Sequence, residues 1–144
     1  MRHGNVNLDT ISLGGKRKEI HTHLPSPSLY KALEEVQNKN HKRAQEVFGF
    51  YDDLWETCKL MAPLVKKGSF AFLLVGNRRV QGVELPTDII MAEFFESLGY
   101  KHEVTYVREI GNKRMPYKNS PSNVAGEKDV TMRYEYLVKL KRVG

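Results

Sequence analysis

The run Phe70-Ala-Phe-Leu-Leu-Val75 constrains the fold of this chain more than any other segment. It is apolar throughout and of strand length, which predicts a strand covered on both faces, as in a parallel sheet. The run stops at Gly76 and gives way to a polar, basic loop, Asn77-Arg-Arg79. A helix is then expected to begin at Thr87-Asp88, with Thr87 as its cap and Asp88 beside the positive end of its dipole. Ile90, Met91, Phe94, Phe95 and Leu98 form its buried stripe, and Gly99 is the natural stop. In open α/β sheets, the loops after the carboxyl ends of strands hold the ligands. The segment Gly76-Asn77-Arg78 is therefore the first place to look for a site.

Two helices are expected upstream. Ser28 is a candidate cap after Pro27, with Leu29, Leu33 and Val36 on one face. Asn38-Lys-Asn40 interrupts that pattern. Ala44, Val47, Phe48, Tyr51, Leu54, Trp55, Cys58, Met61 and Ala62 then recur at three- and four-residue spacing, which predicts one long helix ending near Pro63 or Gly68. Trp55 and Cys58 lie on this stripe and are expected in the core. Downstream, 102–110 and 133–141 read as strands. They are separated by a long segment rich in Gly, Asn, Lys, Pro and Ser, of a length usually functional or disordered. Residues 1–27 are polar and predict loop or extended structure, and 28–144 a partial α/β domain.

The formal net charge of +6 favours a polyanionic partner, although a basic surface can also be unspecialised. The single cysteine excludes an internal disulfide and a cysteine-rich zinc site. No apolar run is long enough to span a membrane and no secretory signal is visible, so the cytoplasm is the expected compartment. His21-x-His23 supplies two histidines where a usual site needs three or four ligands, and no metal is expected there.

Asn77 has the amide chemistry to bond a base edge, and Arg78 the fork to hold a phosphate. The plain alternative is a strand-to-loop turn with a solvated arginine. Arg108, Lys113, Arg114 and Lys118 form a cationic group with Tyr117 among them, next to Asn119, which suits a surface that tracks a nucleic-acid backbone. The alternative is a charged hairpin rim. Glu135 is an isolated carboxylate, better suited to bracing the long loop through Arg108 or Arg114 than to acid–base work.

Three segments carry a resemblance: 70–88 with its Val75-Gly-Asn-Arg78, 107–121 with Asn112-Lys-Arg-Met-Pro116 and Lys118-Asn-Ser-Pro121, and 130–140 with Thr131-Met132 and Glu135. Together they resemble the second half of the catalytic domain of amino-directed, site-specific DNA methyltransferases. The likeness is close over the last half of the chain and loose over the first. It implies a partial Rossmann-like class I methyltransferase sheet, with one parallel strand, an antiparallel edge pair and packing helices. It also implies S-adenosylmethionine as donor, DNA as partner, and a target-base pocket flanked by Gly76-Asn77-Arg78. The family's Pro-Pro loop and glycine-rich donor turn are absent, since the chain has no Pro-Pro dipeptide and no Phe-x-Gly-x-Gly. The expectation is a fragment or subunit that takes S-adenosylmethionine only with its missing half, and that either self-associates or pairs with a complementary methyltransferase subunit. A non-catalytic nucleic-acid-binding α/β module and part of an RNA methyltransferase are the alternatives.

Overall fold

The computed structural model describes residues 13–110, 118–119, 129–130 and 133–144. Helix α1 (Pro27–Lys39) starts at Ser26 rather than at the expected Ser28. Ser26 Oγ accepts a hydrogen bond from the Leu29 N–H at 3.2 Å, while Pro27 takes the first helical position, where a missing N–H costs nothing. Ser28 instead donates from Oγ to Glu93 at 2.7 Å, so its hydroxyl serves a tertiary contact. Asn40 ends α1 and caps α2 (His41–Met61), accepting from the Arg43 N–H at 3.2 Å. A short 3-10 turn, Ala62–Leu64, absorbs Pro63.

The strands are β1 (Phe70–Gly76), the two-residue ladder β2 (Arg79–Val80) and β3 (Val83–Glu84), β4 (Tyr100–Glu109), the pair β5 (Lys118–Asn119) and β6 (Asp129–Val130), and β7 (Tyr134–Arg142). Helix α3 (Thr87–Ser97) joins β3 to β4 and stops at Gly99, whose φ of +90° suits a residue without a side chain.

The main sheet has the order β1-β7-β4, with β7 antiparallel to both neighbours. The expected antiparallel pair of final strands is present as β4 and β7. The parallel strand is not seen as a pairing among the described residues. β1 and β4 run in the same direction, joined by the crossover through α3, but β7 is inserted between them. Among the described residues β1 therefore pairs on one side only.

Its burial also departs from expectation. Ala71, Leu73 and Val75 turn toward the helices, whereas Phe70, Phe72 and Leu74 stand 44%, 56% and 63% exposed. Among the described residues the helices cover one face of the sheet: α3 lies on β1, β4 and β7, and α1 and α2 pack around α3 on that same side. A uniformly apolar strand says that both faces are made for burial; it cannot say that the chain supplies both covers.

The core is the seam between this covered face and the helices. Val138 and Leu140 from β7 meet Ile90, Phe94 and Phe95 of α3, with Leu29, Leu33 and Val36 of α1 and Val47, Phe48 and Tyr51 of α2 closing the cluster. Burying each large apolar side chain contributes about 1.5–3 kcal/mol. The α2 stripe runs as its spacing predicts: Ala44, Val47, Phe48, Tyr51, Cys58 and Ala62 are buried, and Leu54, Trp55 and Met61 are partly so. Trp55 packs against Phe94 with ring centroids 5.1 Å apart. No described helix is long and apolar enough to cross a membrane.

Candidate nucleic-acid interface

The end of β1 is held by its own loop. Asn77 is buried, and its amide is engaged at both ends: Nδ2 donates to Asp88 Oδ1 at 2.8 Å, and Oδ1 accepts from the Asp88 N–H at 3.2 Å. Asn77 thus supplies the side-chain cap for the first turn of α3. Thr87, the expected cap, turns inward and shares a 2.7 Å hydrogen bond with the Tyr51 hydroxyl. Burial pushes the Tyr51 phenol up to about 12, so it remains a neutral hydrogen-bonding group. Tyr136 on β7 completes this corner. Burial raises its pKa, with the negative charges of Glu84 and Asp88 adding to the rise and a hydrogen bond with Asn77 opposing it.

A cavity of about 340 Å³ opens beside this corner. Its walls are Val47, Phe50 and Tyr51 of α2, Leu74 to Gly76 of β1, Leu85, Thr87 and Ile110, with Arg78 and Glu135 as its charged members. An apolar chamber with a few polar groups at its rim is the usual form of a small-ligand site. A second, polar hollow of about 510 Å³ adjoins it, lined by 13–17, Glu46, Phe50 and Arg78. Phe50 and Arg78 belong to both, so the apolar chamber opens toward a basic mouth containing Lys16, Arg17 and Arg78.

The strap 13–26 that forms this mouth is fixed to α2. Lys18 Nζ lies 2.8 Å from Asp52 and 2.5 Å from Asp53, and both carboxylates raise its pKa. His23 Nε2 is 2.8 Å from the other oxygen of Asp52. Burial acts to raise the Asp52 pKa, but the hydrogen bonds from Lys18 and His23 outweigh it and hold the carboxyl below its ordinary range. The strap comes so close that a Cβ on Gly49, in the middle of α2, would lie 2.4 Å from the Lys16 carbonyl oxygen. A glycine in a helix interior costs roughly 0.5–1 kcal/mol against alanine, so close backbone approach is its physical reason here.

On the opposite rim, Arg108 of β4 pairs with Glu135 of β7, its cross-strand neighbour. The Ile110 N–H donates to Arg133 O at 2.7 Å and Arg133 pairs with Glu109, which ties together the strands on either side of 111–132. Lys113 and Arg114, like Thr131 and Met132, lie outside the described residues. Lys118 and Asn119 are placed only as backbone, in β5. The structure therefore brings Asn77, Arg78 and Glu135 to one corner, with Arg108 on its rim. It adds Lys16, Arg17, Tyr51 and Asp88, which the sequence did not assign to a site. The basic run Lys16-Arg-Lys18 was the visible signal for two of them. Tyr51 and Asp88 gave none, because their pattern is that of ordinary helix residues.

His21 and His23 pack against the Phe48 ring, and among the described residues no group of three His, Cys, Asp or Glu could hold a metal ion. No described strand ends in a glycine-rich turn: β1 ends at a single glycine, Gly76, and is followed by Asn77 and Arg78, which carry side chains where such a turn has glycines. The described residues do not fit a donor cradle for S-adenosylmethionine.

The chain is 39% identical over 140 residues to Type II methyltransferase M.MvaI of Kocuria varians, an alignment covering 93% of this chain and 31% of that protein. The resemblance to a DNA methyltransferase thus rests on a homologue as well as on motifs, and the chain spans about a third of its relative's length. No protein-family model matches the chain. No solved structure matches it either.

Proposed function

We propose that this chain is one segment of a DNA amino-methyltransferase of the restriction–modification type, forming the sheet edge and the wall against which the target strand lies. Its β1, β4 and β7 correspond to the edge of a class I methyltransferase sheet, in which β1 would find its parallel neighbour in a segment outside this chain. The observation that carries the proposal is the 39% identity to M.MvaI over 93% of the chain. The cleft supports it physically: an apolar chamber beside a basic mouth suits a base drawn out of the stack with its phosphate held outside.

Each residue has a role in this reading. Arg78 and Arg108 meet phosphates, as do Lys113, Arg114 and Lys118 from the long segment, with Asn119 beside them. Asn77 holds the chamber wall through Asp88 rather than touching the base, since both ends of its amide are already used. Glu135 fixes Arg108. The methyl donor and the loop that accepts the target amine come from sequence this chain does not contain, so the chain by itself transfers no methyl group.

The test is labelled methyl transfer from S-adenosylmethionine to DNA, by the chain alone and together with the part of M.MvaI outside the matched segment. Activity is expected only in the mixture. DNA binding by the chain should be weak, steeply salt-dependent and reduced alike for all sequences by Lys113→Ala with Arg114→Ala. Robust transfer by the chain alone would refute the division of labour. Salt-independent DNA binding would refute the phosphate contacts.

A further inference from the structure

The polar hollow at the mouth of the cleft carries a surplus of positive charge. Its charged lining is Lys16, Arg17, Arg78 and Glu46. Glu46 is shared by two guanidinium groups: Arg17 donates to one oxygen from Nε at 3.2 Å, and Arg43 to the other from Nη1 at 2.9 Å. Neither Lys16 nor Arg78 has an ion-pair partner among the described residues. Behind the strap, Asp52 and Asp53 are bound by Lys18, His23 and the Gly14 N–H. Lys16, Arg17, Lys18, Arg43 and Arg78 thus outnumber Glu46, Asp52 and Asp53. Cations around a polar hollow, in excess over the carboxylates near them, are placed for an anion.

The cations are also held in place. The Gly14 N–H donates to Asp53 Oδ2 at 2.9 Å and Lys18 Nζ to Asp53 Oδ1 at 2.5 Å, so one carboxylate grips both ends of the segment that contains Lys16 and Arg17. We propose that Lys16 and Arg17, together with Arg78, clamp the DNA phosphate adjoining the extruded target nucleotide, and that Asp53 is the residue that positions them. The inference rests on the reading that the chain is part of a DNA methyltransferase. Adjacency selects the occupant. The hollow shares Phe50 and Arg78 with the apolar chamber, so an anion in it sits beside whatever the chamber holds. Lys16, Arg17 and Arg78 are all exposed, and exposed cations hold a free anion weakly. A base and its phosphate belong to one nucleotide, so filling the chamber raises the effective concentration of phosphate at the hollow.

The test uses the chain and a short duplex with one mispaired nucleotide, which costs little to extrude. Binding is read by fluorescence anisotropy, and circular dichroism checks that each variant is folded. Lys16→Ala with Arg17→Ala is expected to weaken binding roughly fivefold or more. Lys66→Ala with Lys67→Ala is the control. It removes the same charge from exposed positions just before β1, at the end of that strand away from the cleft, and should change affinity less than about twofold. Replacing the phosphate beside the mispaired nucleotide by a neutral methylphosphonate should weaken binding to the parent roughly fivefold or more, and to the strap variant no further. Asp53→Ala removes a negative charge, which by itself would tighten DNA binding. It should instead weaken binding roughly threefold, because it frees the segment that carries Lys16 and Arg17. Should Asp53→Ala unfold, the methylphosphonate comparison decides alone. Equal losses from the strap pair and the control pair overturn the inference in favour of net charge. A methylphosphonate effect that persists in the strap variant overturns it too, as does tighter binding by folded Asp53→Ala. Displacement of the DNA by inorganic phosphate at constant ionic strength overturns it in favour of a small-anion site. Methyl transfer by the mixture with the part of M.MvaI outside the matched segment, unaltered by the strap substitutions, refutes the clamp while the proposed function stands. The strap effects without methyl transfer by that mixture retain the clamp and refute the function.

Discussion

Replacing Asn77 with alanine separates a residue that reads a base from one that holds the wall of its chamber. In the structure the amide caps α3 by accepting from the Asp88 N–H at 3.2 Å and donates to the Asp88 carboxylate at 2.8 Å. Loss of a helix cap costs roughly 0.5–2 kcal/mol. Loss of a hydrogen bond to a charged group costs about 1.5–3 kcal/mol. Both bonds end on one residue and are not independent, so the sum is an upper limit and ~2–3 kcal/mol is the expected loss. At roughly 4 °C per kcal/mol for a chain of this size, that is a fall in melting temperature of about 8–12 °C.

Urea unfolding followed by circular dichroism measures the loss directly, and DNA affinity measured well below the new midpoint shows whether binding changes. The expected result is a large stability loss and little change in affinity for the folded protein. Asn77→Asp should be worse at neutral pH, because it places a second carboxylate against Asp88. Part of that loss should return as acid neutralises the new group, since a carboxyl beside another is the one whose pKa rises. A variant with alanine at 77 that unfolds within about 0.5 kcal/mol of the parent, yet loses DNA affinity, would refute the argument and return Asn77 to direct base contact.

Gly49→Ala should free the strap 13–26 from α2, because the added Cβ would meet the Lys16 carbonyl at 2.4 Å; limited proteolysis should cut the strap faster, with a net stability loss of about 1–2 kcal/mol despite alanine's better helix propensity. Asp52→Asn should destabilise the protein at neutral pH by removing the negative charge and one of the two acceptor oxygens that serve Lys18 and His23. Because the folded pKa of Asp52 is depressed, its contribution is present above the ordinary aspartate range and disappears as pH falls through the folded value, so parent and variant should converge in acid. Cys58 should react with thiol reagents only as fast as the protein unfolds, and rapid labelling in native buffer would contradict its burial.

Periodicity determined the long elements, though not the two-residue ladders β2–β3 and β5–β6. The nine-residue stripe from Ala44 to Ala62 could only be satisfied by a helix, and the run 70–75 bounded by Gly68 and Gly76 only by a strand, because side-chain spacing is a local property of the backbone. The basic run at 16–18 and the loop at 76–79 were equally legible as charge. Tertiary structure decided where these pieces met. Nothing local to Asn77 says that its amide will cap a helix eleven residues on, or that Thr87 will give up the cap to bond Tyr51. Those choices follow from which buried polar groups find each other once α2, α3 and β1 are packed. The mouth of the cleft likewise exists only because Gly49 lets the strap lie on α2 and brings Lys16 and Arg17 beside Arg78. The bare face of β1 is the clearest division: its sequence specifies that Phe70, Phe72 and Leu74 are fit for burial, but whether they are buried depends on what the rest of the molecule lays over them.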